Sequence, residues 1–212
     1  MRLKRRDALA AAAAAVLVAA AVAAVLLNRS SGSHSPPTTG FSETSSSGFD
    51  GAAIPPGRRA PGFTLQNQAG APVSLGSYRG HVVILAFLYS TCGRVCLLLA
   101  QQIRGALDEL PEPVPVLLVS AEPSADSAGN VARFLAEVSL SGRVSYLTGS
   151  TSELRAIWRD YRVTPPERDR PGFENTISLF LIDRSGDERV LFQLEELTPE
   201  ALVHDARKLG AI

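Results

Sequence analysis

Val82-Val83-Ile84-Leu85-Ala86-Phe87-Leu88-Tyr89 runs without a polar interruption into Ser90-Thr91-Cys92-Gly93-Arg94-Val95-Cys96. An apolar run that opens after Gly80 and does not alternate predicts a strand buried on both faces, because a half-buried strand would show a period of two. Cys92 and Cys96 are the only cysteines in the chain. The strand therefore delivers a close thiol pair to the start of a helix, an arrangement suited to redox or soft-metal chemistry.

Downstream, strand and helix patterns alternate. A helix is expected from about Cys92 to Leu110, with Val95, Leu98, Leu99, Ile103 and Leu107 at helical spacing and Pro111 ending it. Val114 to Ser120 reads as a second buried strand, Asn130 to Val138 as an amphipathic helix, and Val144 to Leu147 as a short strand or edge. A helix over Thr151 to Tyr161 has Ser150, Thr151 and Ser152 as candidate caps ahead of Glu153. Its stripe Leu154, Ile157, Trp158 and Tyr161 has the periodicity of a core face. Ile177 to Ile182 and Val190 to Leu194 form a strand pair across Asp183-Arg184-Ser185-Gly186, and Thr198 to Leu209 closes the chain as a helix. Upstream, Phe63-Thr64-Leu65 and Val73-Ser74-Leu75 flank a turn that ends at Gly70. The whole describes an α/β domain with a mixed sheet flanked by helices, in thioredoxin-like order.

The N-terminus has a different character. Ala8 to Leu27 is uninterruptedly apolar, with Arg2, Lys4, Arg5 and Arg6 before it and Asn28 and Arg29 after it. At about 1.5 Å per residue such a helix covers a hydrocarbon core of roughly 30 Å. The basic flank predicts a cytoplasmic N-terminus and an extracytoplasmic C-terminal domain on the cytoplasmic membrane. A retained single-pass anchor fits the length of the run. Cleavage near Ala21-Val22-Ala23, followed by secretion, is the alternative. Residues 1–29 are thus assigned to an anchor or signal, and 30–57, rich in Ser, Thr, Gly and Pro, to a flexible linker. Residues 58–212 are assigned to the domain. Lys plus Arg numbers 21 and Asp plus Glu 21, so no net field draws the chain to nucleic acid. No phosphate-cradling glycine loop, nucleophile elbow or zinc signature appears.

Within a helix, a spacing of four puts two Cα atoms about 6 Å apart, a separation a disulfide tolerates if the first turn loosens. Free N–H groups at the helix start, together with the Arg94 guanidinium, would stabilise a thiolate. Cys92 is therefore expected to attack and Cys96 to resolve, with Thr91, Tyr89 and Phe173 as candidate lining. Of the three histidines, His81 is excluded as a ligand, because the strand that follows it places it roughly 25 Å from the thiols. His204 reads as a solvated residue on the last helix and His34 as a solvated linker residue.

A set of motifs carries a family likeness. Ala60-Pro61-Gly62-Phe63-Thr64-Leu65, the Val82 to Tyr89 strand, Cys92-Gly93-Arg94-Val95-Cys96, Ser120-Ala121-Glu122-Pro123, Leu147-Thr148-Gly149 and Leu181-Ile182-Asp183 together resemble the Sco/SenC family over about Arg58 to Leu194. The resemblance implies a membrane-tethered thioredoxin-like domain with a redox-active disulfide, associated with copper handling in cytochrome c oxidase assembly. It makes Cys92 and Cys96 the thiolate ligands of copper. In the family a proline usually follows each cysteine, where this chain has Gly93 and Leu97. The family's distant copper-binding His corresponds to Asn175 here, in Glu174-Asn175-Thr176. Two thiolates can hold soft Cu(I), whereas Cu(II) wants the nitrogen donor that a carboxamide replaces poorly.

Three readings follow. The first is thiol-disulfide exchange with the thiols or disulfides of partner proteins, a cytochrome oxidase subunit among them. The second is a metallochaperone carrying Cu(I) to that subunit, and the third a scaffold without chemistry of its own.

Overall fold

The computed structural model describes residues 47–166, 173 and 177–210. The apolar run Ala8 to Leu27 lies outside them, as does most of the expected linker. Among the described residues no helix is long and apolar enough to cross a membrane.

The central strand forms as its composition demands. β4 (Val83–Leu88) is buried at every position, with Ile84 through Leu88 fully inaccessible. It lies inside an eight-stranded mixed sheet of order β1-β8-β7-β4-β5-β6-β2-β3. β5 (Val116–Ser120) runs parallel to β4, and β6 (Ser145–Thr148) parallel to β5. On the other side β7 (Ser178–Ile182) is antiparallel to β4, and β8 (Glu188–Gln193) antiparallel to β7. The upstream hairpin is β2 (Thr64–Asn67) with β3 (Pro72–Ser74), and β2 also pairs with β6. That second pairing makes β6 an interior strand, and its full burial at Tyr146 and Leu147 follows from it.

The helices are α1 (Arg94–Glu109), α2 (Ala128–Glu137), α3 (Thr151–Asp160) and α4 (Pro199–Lys208). Of the three candidate caps for α3, Ser150 is the one used. Its hydroxyl accepts from the Glu153 N–H while the Glu153 carboxylate accepts the Ser150 N–H, at 3.3 and 2.8 Å. Bonds from the Ser150 hydroxyl and backbone hold the Glu153 carboxyl below its usual range. Trp158 and Tyr161 take the core positions that their periodicity predicts. The Tyr161 ring packs against Phe87 and Phe180 at 5.2 and 5.4 Å. α1 crosses α4 closely enough that a Cβ on Gly105 would meet Pro199 Cγ at 2.8 Å. This mixed sheet with packed helices is the thioredoxin-like α/β arrangement that the strand order implies.

Two boundaries differ from the sequence expectation. Helix α1 begins at Arg94, not Cys92, because Gly93 adopts φ 77° and ψ −144°, outside helical space. Residues 47–57, expected as linker, are built into the domain: β1 (Ala52–Ala53) pairs with β8, and Gly51 is buried. The Asp50 and Gly51 N–H groups both donate to Asp205, whose carboxylate is fully inaccessible. His204 is exposed, as expected, and its Nδ1 also lies 2.8 Å from Asp205 and 3.2 Å from Asp50.

Candidate functional site

β4 ends at Leu88, at the same end of the sheet as the C-terminal ends of its parallel neighbours β5 and β6. The chain then turns: the Cys92 N–H donates to the Tyr89 carbonyl at 3.2 Å. Gly93 reverses direction into α1, and Cys96 falls in the first helical turn, on the stripe shared with Leu99, Ala100 and Ile103. The two cysteines form a disulfide with Cα atoms 5.8 Å apart. Cys96 is fully buried, whereas Cys92 is only partly so. One sulfur is thus sealed beneath the helix and the other approaches the surface.

Among the described residues no side chain caps the start of α1, whose positive pole faces this pair. Gly93 at the N-cap has no side chain to accept the first free N–H groups, and the first turn carries no acidic residue. A thiolate released nearby would find donors and a favourable dipole. Arg94, the first helical residue, is exposed, as is Thr91. The Tyr89 ring packs at a tilt of 57° against Phe173 with centroids 5.2 Å apart, and Phe173 is buried. Asn175, the position of the expected third ligand, lies outside the described residues.

Gly93 is where the local sequence decides the geometry. A Cβ there would meet nothing within 4 Å, so the constraint is purely conformational. Its φ and ψ fall in a region that costs a non-glycine residue about 1–3 kcal/mol. Gly93→Ala should therefore favour the dithiol over the disulfide by about tenfold, given that 1.4 kcal/mol is a factor of ten. The shift requires that the turn relax once the disulfide opens; redox titration against a dithiol buffer measures it, and an unchanged equilibrium would show that position 93 keeps the same strain in the disulfide and the dithiol.

Beneath the turn sits a polar cluster that the sequence reading did not single out. Asp126, 7% exposed, accepts from the Ser90 N–H at 2.7 Å, the Ser120 hydroxyl at 2.5 Å and the Tyr146 hydroxyl at 2.8 Å. The Trp158 indole N–H donates to the Ser120 carbonyl at 2.9 Å. Burial first, and the nearby Asp126 charge second, push the Tyr146 phenol far above its ordinary range, so its proton stays in place. The one hint in the sequence was an acid close behind a buried strand, in a loop where charges are usually solvated.

Among the described residues, Asp50, His204 and Asp205 form the one group of three or more His, Cys, Asp or Glu ligand atoms close enough to share an ion, and neither cysteine belongs to it. His81 precedes β4, at the opposite end of that strand from the turn, as the strand-length argument requires.

Comparison with known proteins agrees with this architecture. The family model described as SCO1/SenC matches residues 52–210. The apo Sco1 protein from Thermus thermophilus superposes with a TM-score of 0.64 at 23% identity, covering 76% of this chain and 96% of that one. BsSco is described as a member of the Sco family of cytochrome c oxidase assembly proteins with a disulfide switch. It superposes with a TM-score of 0.58 at 24% identity, over 72% of this chain and 93% of that one. Bradyrhizobium japonicum ScoI, solved with copper bound, gives a TM-score of 0.55 at 23% identity, over 71% and 99% of the two chains. No curated protein sequence matches this chain.

Proposed function

The chain belongs to the SCO1/SenC family, and on that premise we propose that it performs thiol-disulfide exchange through Cys92 and Cys96 on the outer side of the cytoplasmic membrane, in cytochrome c oxidase assembly. The observation that carries this reading is the asymmetry of the pair: a fully buried Cys96 bonded to a partly exposed Cys92 at a helix start. A purely structural crosslink draws its benefit from closing a long loop. Closing a loop of about five residues yields roughly 2 kcal/mol, against nearly 5 for a loop of about a hundred.

The exchange balances as follows. A thiolate of a partner dithiol attacks Cys92 Sγ, and the Cys92–Cys96 bond breaks as the partner–Cys92 bond forms. Cys96 leaves as a thiolate and takes up a proton. The partner's second thiol, having lost its proton, then displaces Cys92, so the partner is oxidised to a disulfide and this chain is reduced to its dithiol. In the reverse direction, the Cys92 thiolate attacks a partner disulfide and Cys96 resolves the mixed species. The partner is a protein with an exposed cysteine pair, such as an oxidase subunit. The basic flank and apolar run before residue 30 support membrane anchoring of the domain.

A second reading is carriage of Cu(I) by the reduced pair, favoured by the copper-bound relative and by the closeness of the two sulfurs. The donor set fits a cuprous ion, which is soft and accepts two thiolates. It does not fit Cu(II), because no described imidazole joins the cysteines. Titrating the reduced full chain with Cu(I) against a competing chelator separates the readings. Stoichiometry near zero with a reversible disulfide leaves exchange alone, whereas tight one-to-one binding adds carriage. Asn175→His should raise Cu(II) affinity by at least about tenfold, the size of effect expected for a gained imidazole ligand. An unaltered affinity would show that position 175 does not serve the sulfurs.

A further inference from the structure

Ser90 lies two residues before Cys92 and is held twice by the loop that follows β5. Its N–H donates to Asp126 Oδ1 at 2.7 Å, and its hydroxyl donates to the Ala125 carbonyl at 3.3 Å. Ala125 is itself fixed, since the Asn130 side-chain amide donates to the same carbonyl at 2.8 Å. Asp126 is fixed from below by the hydroxyls of Ser120 and Tyr146. Among the described residues no Lys, Arg or His forms an ion pair with Asp126. Its charge is satisfied by hydrogen-bond donors alone, one of which belongs to the turn that presents Cys92. A buried carboxylate costs free energy to keep, and removing it leaves its donors unmatched.

We propose that Asp126 is a positioning residue for the Cys92–Cys96 pair: through Ser90 it fixes the Tyr89–Cys92 turn, and thereby sets how readily the disulfide forms and is reduced. The inference rests on the redox reading above. Cys96 is immobilised in α1, so the effective concentration of one thiol at the other depends on how narrowly the turn confines Cys92. With Ser90 anchored, closing the disulfide orders little that is not already ordered. With the anchor removed, the dithiol gains freedom that the disulfide must give up, and the equilibrium moves toward the dithiol.

The test uses the full chain, oxidised and reduced in dithiothreitol buffers, with the disulfide fraction read by alkylation and mass. Asp126→Ala should shift the equilibrium toward the dithiol by about tenfold, the typical weight of one charge-assisted hydrogen bond, which for this two-electron couple is about 30 mV. Asp126→Asn should stay within about twofold of the wild type, because its carbonyl still accepts the Ser90 N–H and the hydroxyls of Ser120 and Tyr146 can turn to accept from its amide. An unshifted Asp126→Ala overturns the proposal. So does an Asp126→Asn shift as large as that of alanine, since charge rather than anchoring would then be at work. A wild-type disulfide that never equilibrates with the buffer defeats the redox reading and this inference together. Hydrogen exchange of the Ser90 amide in the oxidised wild type needs no variant to fold. Strong protection is expected, and rapid exchange overturns the anchor.

Discussion

Cys92→Ser should abolish thiol-disulfide exchange by about a thousandfold or more, as loss of a nucleophile does, while Cys96→Ser should turn the protein into a covalent trap for its partner. The two substitutions delete chemically identical groups, and the difference between them comes from burial. Cys92 reaches the surface beside the free N–H groups of the α1 start, so its sulfur can meet a partner sulfur. Cys96 is fully inaccessible and can meet only Cys92. With Cys96 replaced, the Cys92 thiolate still attacks a partner disulfide, but a serine hydroxyl cannot displace the resulting mixed species at neutral pH. That adduct should accumulate and be visible by non-reducing electrophoresis and mass. With Cys92 replaced, the remaining thiol should neither exchange with a disulfide peptide nor alkylate at an appreciable rate. Equal loss of exchange in both variants with no adduct in either would refute the assigned roles. A double variant retaining full activity in the cell would favour the scaffold reading instead.

The sheet was legible because its signals are local. An unalternating run such as Val82 to Tyr89 has few homes other than an interior strand, and Ser150 with Glu153 announces a helix start within four residues. The thiol pair was legible for the same reason, since its spacing and its place after a buried strand are both read within fifteen residues. What escaped was set by contacts wider than a local window or by a single backbone dihedral. Ala52 and Ala53 carry no strand signature, and they pair because β8 offers an open edge and Asp205 captures the residues before them. Asp126 looks like a loop acid until Tyr146 and Ser120 are brought over it. Cys92 lies outside the helix because of one dihedral at Gly93, and a sequence shows only that glycine permits such a value. The Asp205 contacts span up to 155 residues and those of Asp126 up to 36, wider than any local pattern reports.

Asp205→Ala should destabilise the domain by about 3 kcal/mol, because it strips acceptors from two backbone donors and leaves them unmatched at about 1–3 kcal/mol each. The carboxylate is fully buried on α4 and accepts the Asp50 N–H at 2.9 Å and the Gly51 N–H at 2.9 Å. Gly51 is held so close to β8 that a Cβ would meet Val190 Cγ1 at 2.6 Å. For a domain of this size the loss corresponds to a fall in Tm of about 10 °C. His204 contributes less: its Nδ1 lies 2.8 Å from Asp205 and 3.2 Å from Asp50, but its side chain is half exposed and water can take its place, so His204→Ala should change stability less than Asp205→Ala. β1 is the outermost strand, so part of the effect should appear as local opening. The Ile54 amide, which donates to the Arg189 carbonyl at 2.8 Å, should then exchange faster in Asp205→Ala well below the global transition. Asp205→Asn, keeping one acceptor, should fall between the two. Should Asp205→Ala unfold within about 1 kcal/mol of the wild type, the range of ordinary surface changes, the segment before β1 is not held by this carboxylate. Where that segment is held fixes where the folded domain begins, and hence how much chain separates the disulfide-bearing domain from the apolar run Ala8 to Leu27.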